Sequence, residues 1–178
     1  YAGANSPVAG ILATASKAMG IIGLIRMLLI VASPESSDGS AIWLVALGIL
    51  SVVTMTWGNI AALGSKNPKR MLAYSSVAHA GYLLAALTAV GAWHWGHVDM
   101  PEHYATAILA AIFFHLMVLV AIKLGAFLVL GLLEMEGGAS RLSSLAGLGR
   151  RDPLIATSMF IFMMALAGVP PLAGFMSK

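Results

Sequence analysis

Six ionisable side chains fall where the sequence is otherwise apolar: Lys17, Arg26, His79, His115, Lys123 and Lys178. A lysine at a bilayer centre costs about 2.5–3.5 kcal/mol on insertion scales, so such residues usually face a bundle interior or a hydrated path. An amine or imidazole held out of water exchanges its proton according to its surroundings, and a neighbouring charge biases that exchange. Lysines on successive helices, bridged by histidine, serine and water, therefore supply the parts of a proton relay running along a membrane.

Lys17 lies about ten residues into its apolar run. At 1.5 Å per residue that is about 15 Å deep, near the middle of a ~30 Å hydrocarbon core. Thr14, Ser16 and Gly20 around it are small or polar. Snorkelling to the interface is the competing role, and a mid-span position makes it hard. For Arg26, nearer the far end of the same run, snorkelling and function compete evenly. Lys123 stands between Ile122 and Leu124, with His115 eight residues before it. That spacing is about 12 Å along a helix and about 80° around it, so the two share one broad face. A buried histidine is as often a hydrogen-bonded core residue as a functional one. His79 closes the polar patch Ser75-Ser76-Val77-Ala78-His79, as a relay member or as an interhelical hydrogen-bond partner. The candidate relay is thus Lys17, Lys123, Lys178, His79 and His115.

The elements that hold these residues are apolar runs over about 8–32, 41–65, 69–92, 104–133 and 153–178. A transmembrane helix needs about 20 such residues, and continuous runs of this length satisfy their backbone in lipid only as helices. The expected fold is all-α, a single polytopic transmembrane bundle of about five spans over 1–178. In the last run Gly168, Pro170, Pro171 and Gly174 predict a break near 168–174. Discontinuous helices at membrane depth line cavities and ion sites. Asn67-Pro68 separates the second run from the third, with Pro68 suited to a first helical turn. Leu142, Leu145 and Leu148 recur every third residue and predict a short surface helix in the linker.

The loops over 64–70 and 134–152 carry three basic residues each, whereas 33–40 and 93–103 carry neither Lys nor Arg. Alternating spans put both basic loops on one face, which the positive-inside rule assigns to the cytoplasm. Trp43, Trp93, Trp95 and Tyr104 then fall near the opposite interface, and Trp57 lies too deep for an aromatic belt.

The 178 residues are 60% hydrophobic and 10% charged, with net charge +3 and no cysteine. A soluble domain carries about 25% charged residues. The basic residues form no stripe for nucleic acid, thiol chemistry and disulfides are excluded, and no phosphate loop or Rossmann glycine pattern occurs. His94, His97 and His103 are irregularly spaced and read as solvated loop residues. A start at Tyr1 and an end at Lys178 inside an apolar stretch are expected of an internal segment.

Four motifs carry a resemblance. They are Tyr1-Ala2-Gly3-Ala4-Asn5-Ser6-Pro7-Val8 continuing to Lys17; Asn67-Pro68-Lys69-Arg70-Met71-Leu72-Ala73-Tyr74-Ser75-Ser76-Val77-Ala78-His79-Ala80-Gly81-Tyr82; Leu124-Gly125-Ala126-Phe127; and Leu166-Ala167-Gly168-Val169-Pro170-Pro171-Leu172-Ala173-Gly174-Phe175 with Lys178. In this order they resemble helices 8 to 12 of the antiporter-like subunits of complex I, a family shared with Mrp-type cation/proton antiporters. The N-type subunit of NADH:quinone oxidoreductase and its archaeal and photosynthetic relatives are the nearest likeness. The resemblance implies a proton-translocating subunit in which Lys17 is the helix 8 relay lysine and Lys178 the helix 12 Lys or Glu. Lys123 departs from it, since N-type subunits often carry a neutral residue there. It also implies other membrane subunits and the lipid bilayer as partners, with no nucleic acid. NADH, flavin, iron–sulfur and quinone sites are expected in partner subunits and no cofactor in this chain. The expected setting is a bacterial or archaeal plasma membrane, with an organelle inner or thylakoid membrane as the alternative. A Mrp-type Na+/H+ antiporter subunit is the competing function, and a non-transporting structural subunit the third.

Overall fold

A computed structural model describes residues 3–28, 37–137 and 141–177. They form α1 (Ser6–Arg26), α2 (Ser37–Leu63), α3 (Pro68–His94), α4 (Glu102–Met135), α5 (Leu148–Arg151), α6 (Pro153–Ala167) and α7 (Ala173–Met176), with a 3₁₀ turn at Leu142–Leu145. Among the described residues, four helices are long and apolar enough to cross a membrane: Ser6–Arg26, Gly39–Leu63, Pro68–His94 and Glu102–Met135. The described residues contain no strand.

Local chemistry sets the helix ends. The Asn67 side chain accepts from the amides of Lys69 (2.9 Å) and Arg70 (3.3 Å), and Pro68 follows at the first helical position. Asp152 caps α6 in the same way, accepting from Leu154 and Ile155 at 3.1 Å each, ahead of Pro153. α6 stops at Gly168, whose φ of +80° is a left-handed conformation costly for any residue with a Cβ. The chain then passes Pro170 and Pro171 and resumes as α7.

α4 is the central helix, packing against α1, α3, α6 and α7, while α2 packs on α3. The α2–α3 contact is backbone to backbone. A Cβ on Gly81 would stand 2.7 Å from the Met55 amide nitrogen, and Ser51 Oγ donates to the Gly81 carbonyl at 2.8 Å. Without a hydrophobic drive between helices in lipid, such small-residue contact is what holds them. The outward face of α2 is left apolar, with Ile42, Val45, Ile49, Val53, Trp57 and Ile60 exposed. Trp57 is part of this outer, lipid-compatible face.

The core is split. One cluster joins Ala9, Ala13, Leu72, Ala126, Phe127 and Leu130 near the basic loops. The other joins Ile21, Ile25, Leu83, Leu87, Ile112 and Leu116 toward the opposite face. On α1 and α3 the residues between the clusters include Lys17, Ser75, Ser76 and His79, a polar layer across the bundle.

Several expectations are corrected. The break in the fifth run is not among them: α6, with 15 residues, ends at Gly168, the first residue of the stretch where a break is expected. Gly174 lies not in the break but inside α7, where a Cβ would stand 1.7 Å from the Ala165 carbonyl oxygen, so α7 folds back tightly against α6. The leucine-spaced linker is two short turns, not one helix, because Gly147 between them takes φ +78°. Lys69, counted among the basic residues of the 64–70 loop, is instead buried in the first turn of α3 beside an acidic partner.

Candidate functional site

Lys123 is the largest fully buried side chain, at 1% exposure. α3 crosses α4 so that two consecutive serines meet it: Lys123 Nζ donates to Ser75 Oγ at 3.0 Å and to Ser76 Oγ at 2.5 Å. Both hydroxyls in turn donate to the Leu72 carbonyl, at 2.7 and 3.3 Å. Both hydroxyls are uncharged acceptors for the amine.

Lys17 Nζ is buried and has no hydrogen-bond partner among the described residues. Its helix, α1, packs against α4, which carries Lys123. The depth of the two follows from helix register. Ser6 Oγ, at the start of α1, donates to Glu134 Oε2, near the end of α4, at 2.6 Å. Lys17 is eleven residues inward from Ser6, and Lys123 is eleven residues inward from Glu134. On antiparallel helices both therefore lie about 16 Å from that tie, at one depth.

His79 follows Ser75 and Ser76 by one turn on α3, hence on the same face. Its ring centroid is 5.3 Å from that of His115 on α4, and Tyr82 meets it edge-on at 5.4 Å. Both histidines are buried. His115 Nδ1 lies 3.0 Å from Ser177 Oγ, just past α7. A cavity of about 430 Å3 opens beside His115 and Ser177. Lys178, the next residue, lies outside the described residues, so its placement is not part of this geometry.

Four of the five relay candidates thus fall into one polar layer: Lys17, Lys123, His79 and His115. Arg26 is exposed and stands apart. His97 Nε2 meets Ser40 Oγ at 2.6 Å, tying the loop after α3 to the first turn of α2. No cluster of metal-ligating side chains occurs among the described residues.

The sequence did not reveal Ser75 and Ser76 as the direct partners of Lys123, nor the cluster around Lys69. Lys69 Nζ forms an ion pair with Glu134 and donates to the Ala4 carbonyl at 2.9 Å. Ser6, Lys69 and Glu134 so bind the starts of α1 and α3 to the end of α4. The available signal was topological: all three stand at helix ends on the basic face.

The full chain, residues 1–178, matches the family model described as NADH:quinone oxidoreductase/Mrp antiporter, TM. It is similar to NADH-quinone oxidoreductase subunit N of Heliobacterium modesticaldum, at 42% identity over all of this chain and 34% of the relative. It is similar also to NADH-quinone oxidoreductase subunit N 2 of Syntrophobacter fumaroxidans, at 39% identity over all of this chain and 34% of the relative. Among solved structures it resembles a chain of respiratory complex I from Thermus thermophilus with bound aureothin. The TM-score there is 0.71 at 34% identity, covering 99% of this chain and 34% of that one. The chain spans about a third of the length of the curated relatives it matches.

Proposed function

The chain belongs to the NADH:quinone oxidoreductase/Mrp antiporter transmembrane family, and on that premise we propose that it is part of a proton-translocating, N-type subunit of a complex I-like quinone oxidoreductase. The observation that carries the reading is the polar layer of Lys17, Lys123, Ser75, Ser76, His79, His115 and Ser177.

Lys17 and Lys123 are like charges at one depth, so the protonation of one disfavours that of the other. A proton gained by Lys17 thereby expels one from Lys123. The hydroxyls of Ser75 and Ser76 pass it one turn along α3 to His79 by rotating away from the Leu72 carbonyl. His79 hands it to His115, and Ser177 carries it toward Lys178, the helix 12 member of the relay. The break between α6 and α7 brings Ser177 to His115 (a continuous helix would carry it onward). Nothing in these steps requires a cofactor: the NADH, flavin, iron–sulfur and quinone chemistry belongs to partner subunits. The relatives named above are bacterial, which favours a bacterial plasma membrane.

The test uses the full-length subunit in its assembly, reconstituted in vesicles. Lys17→Ala is expected to leave electron transfer running while protons moved per electron fall at least about tenfold, the scale of losing one positioned acid–base group. Undiminished pumping would overturn the relay. Transport that follows an imposed sodium gradient in the wild type would favour a Mrp-type Na+/H+ antiporter subunit instead.

A further inference from the structure

A second polar feature lies on the basic face, away from the relay. A cavity of about 1000 Å3 opens there between the end of α2, the first two turns of α3, and Arg141 with the start of the 3₁₀ turn. Its cations are Lys66, Arg70 and Arg141. Lys66 and Arg70 flank the start of α3 and Arg141 is some seventy residues on in sequence, the two segments stitched where the Leu142 amide donates to the Lys66 carbonyl at 3.0 Å.

The charge balance is what makes this a site. Lys69, one residue from Arg70, has an internal counter-ion in Glu134. Among the described residues no carboxylate lines the cavity or pairs with its three cations. Three like charges around one concavity repel one another, and an anion seated among them relieves that repulsion. Tyr74 lies one turn below Arg70, so the cavity runs about 6 Å along α3 toward the membrane. Its rim is apolar: Leu63 is 89% exposed and Leu142 is 38% exposed. A charged floor under an apolar lip, at the end of the spans on the positive face, is at headgroup level. The volume exceeds what a free phosphate ion fills and is of the size that takes a larger ligand.

We propose that this cavity binds the headgroup of an anionic phospholipid from the leaflet on the basic face. Lys66, Arg70 and Arg141 take the phosphodiester oxygens, Tyr74 offers its hydroxyl, and the acyl chains leave over Leu63 and Leu142. The site is independent of the relay.

The experiment purifies the full-length protein from its membrane and quantifies co-purifying phospholipid by mass spectrometry. It then measures rebinding of phosphatidylglycerol from phosphatidylcholine vesicles. Each cation near a phosphate contributes about fivefold in affinity. Arg70→Gln/Arg141→Gln is therefore expected to lower anionic-lipid retention by about thirtyfold, while Arg70→Lys/Arg141→Lys keeps most of it. Arg150→Gln/Arg151→Gln removes the same charge from the same face but outside the cavity, and is expected to change retention less than about twofold. Equal losses in the two glutamine variants would overturn the site in favour of diffuse surface charge. Unchanged retention in Arg70→Gln/Arg141→Gln would overturn it outright. Displacement of the lipid by millimolar inorganic phosphate alone would assign the cavity to a soluble anion instead.

Discussion

Lys69 and Lys123 are both buried lysines with two oxygen-bearing partners, and they differ in one respect: the charge of those partners. Lys69 meets the Glu134 carboxylate and the Ala4 carbonyl. Lys123 meets two serine hydroxyls. A carboxylate balances an ammonium, and removing one member of such a pair leaves the other uncompensated. A hydroxyl satisfies hydrogen-bonding capacity but balances no charge. Lys69 is thus held as a tie between helix ends, whereas in the proposed relay Lys123 exchanges its proton in answer to Lys17.

The comparison breaks most visibly at Lys123. Lys123→Met keeps the volume and removes the amine, so protons moved per electron are expected to fall at least about tenfold. Thermal stability in detergent should be unchanged or higher, because an apolar replacement for a buried charge is often neutral or stabilising. A variant that pumped fully but melted early would place Lys123 with the structural lysines.

Lys69→Met should behave in the opposite sense. It leaves Glu134 facing a methyl group, with about 2–3 kcal/mol lost from stability, below the range for fully buried pairs because Glu134 is partly exposed. Adding Glu134→Gln should restore part of the loss, a coupling read by thermal melts of the two singles and the double. Additive losses would show that the pair contributes nothing jointly.

Ser75→Ala with Ser76→Ala sharpens the contrast at the smallest scale. Lys123 keeps its place on α4 but loses both acceptors, at a cost of about 1–3 kcal/mol in stability. Pumping should slow while the Lys69 tie, read by its own double-variant coupling, stays intact. Pumping at the wild-type rate would remove the serines from the path.

How much of this was readable beforehand depended on the range of the signal. Hydropathy exposes each apolar run within its own twenty residues, and Asn67-Pro68, Asp152-Pro153 and Gly168 mark helix ends through contacts spanning a few residues. The relay candidates were legible because charge inside an apolar run is anomalous without reference to anything else. Partners were not legible. Lys123 finds its serines 47 and 48 residues away, and Lys69 finds Ala4 65 residues away. Lys69 was grouped with Lys66 and Arg70 because all three lie where two apolar runs meet, and nothing local separates the one that is buried from the two that are exposed. The Leu142, Leu145 and Leu148 spacing suggested one helix, and only the backbone at Gly147 divides it.

The bond between Ser6 and Glu134 has a consequence for how this chain can vary. It acts as the zero mark of a ruler with two equal arms, one along α1 to Lys17 and one along α4 to Lys123. Adding a single residue to either arm would rotate its lysine by about 100° and move it about 1.5 Å. Substitutions along the arms are tolerable wherever packing allows. A change of length is not, since no side chain can undo a rotation of its own backbone. Insertions and deletions are therefore expected only outside the two arms, as in the connection between α3 and α4, where length carries no phase.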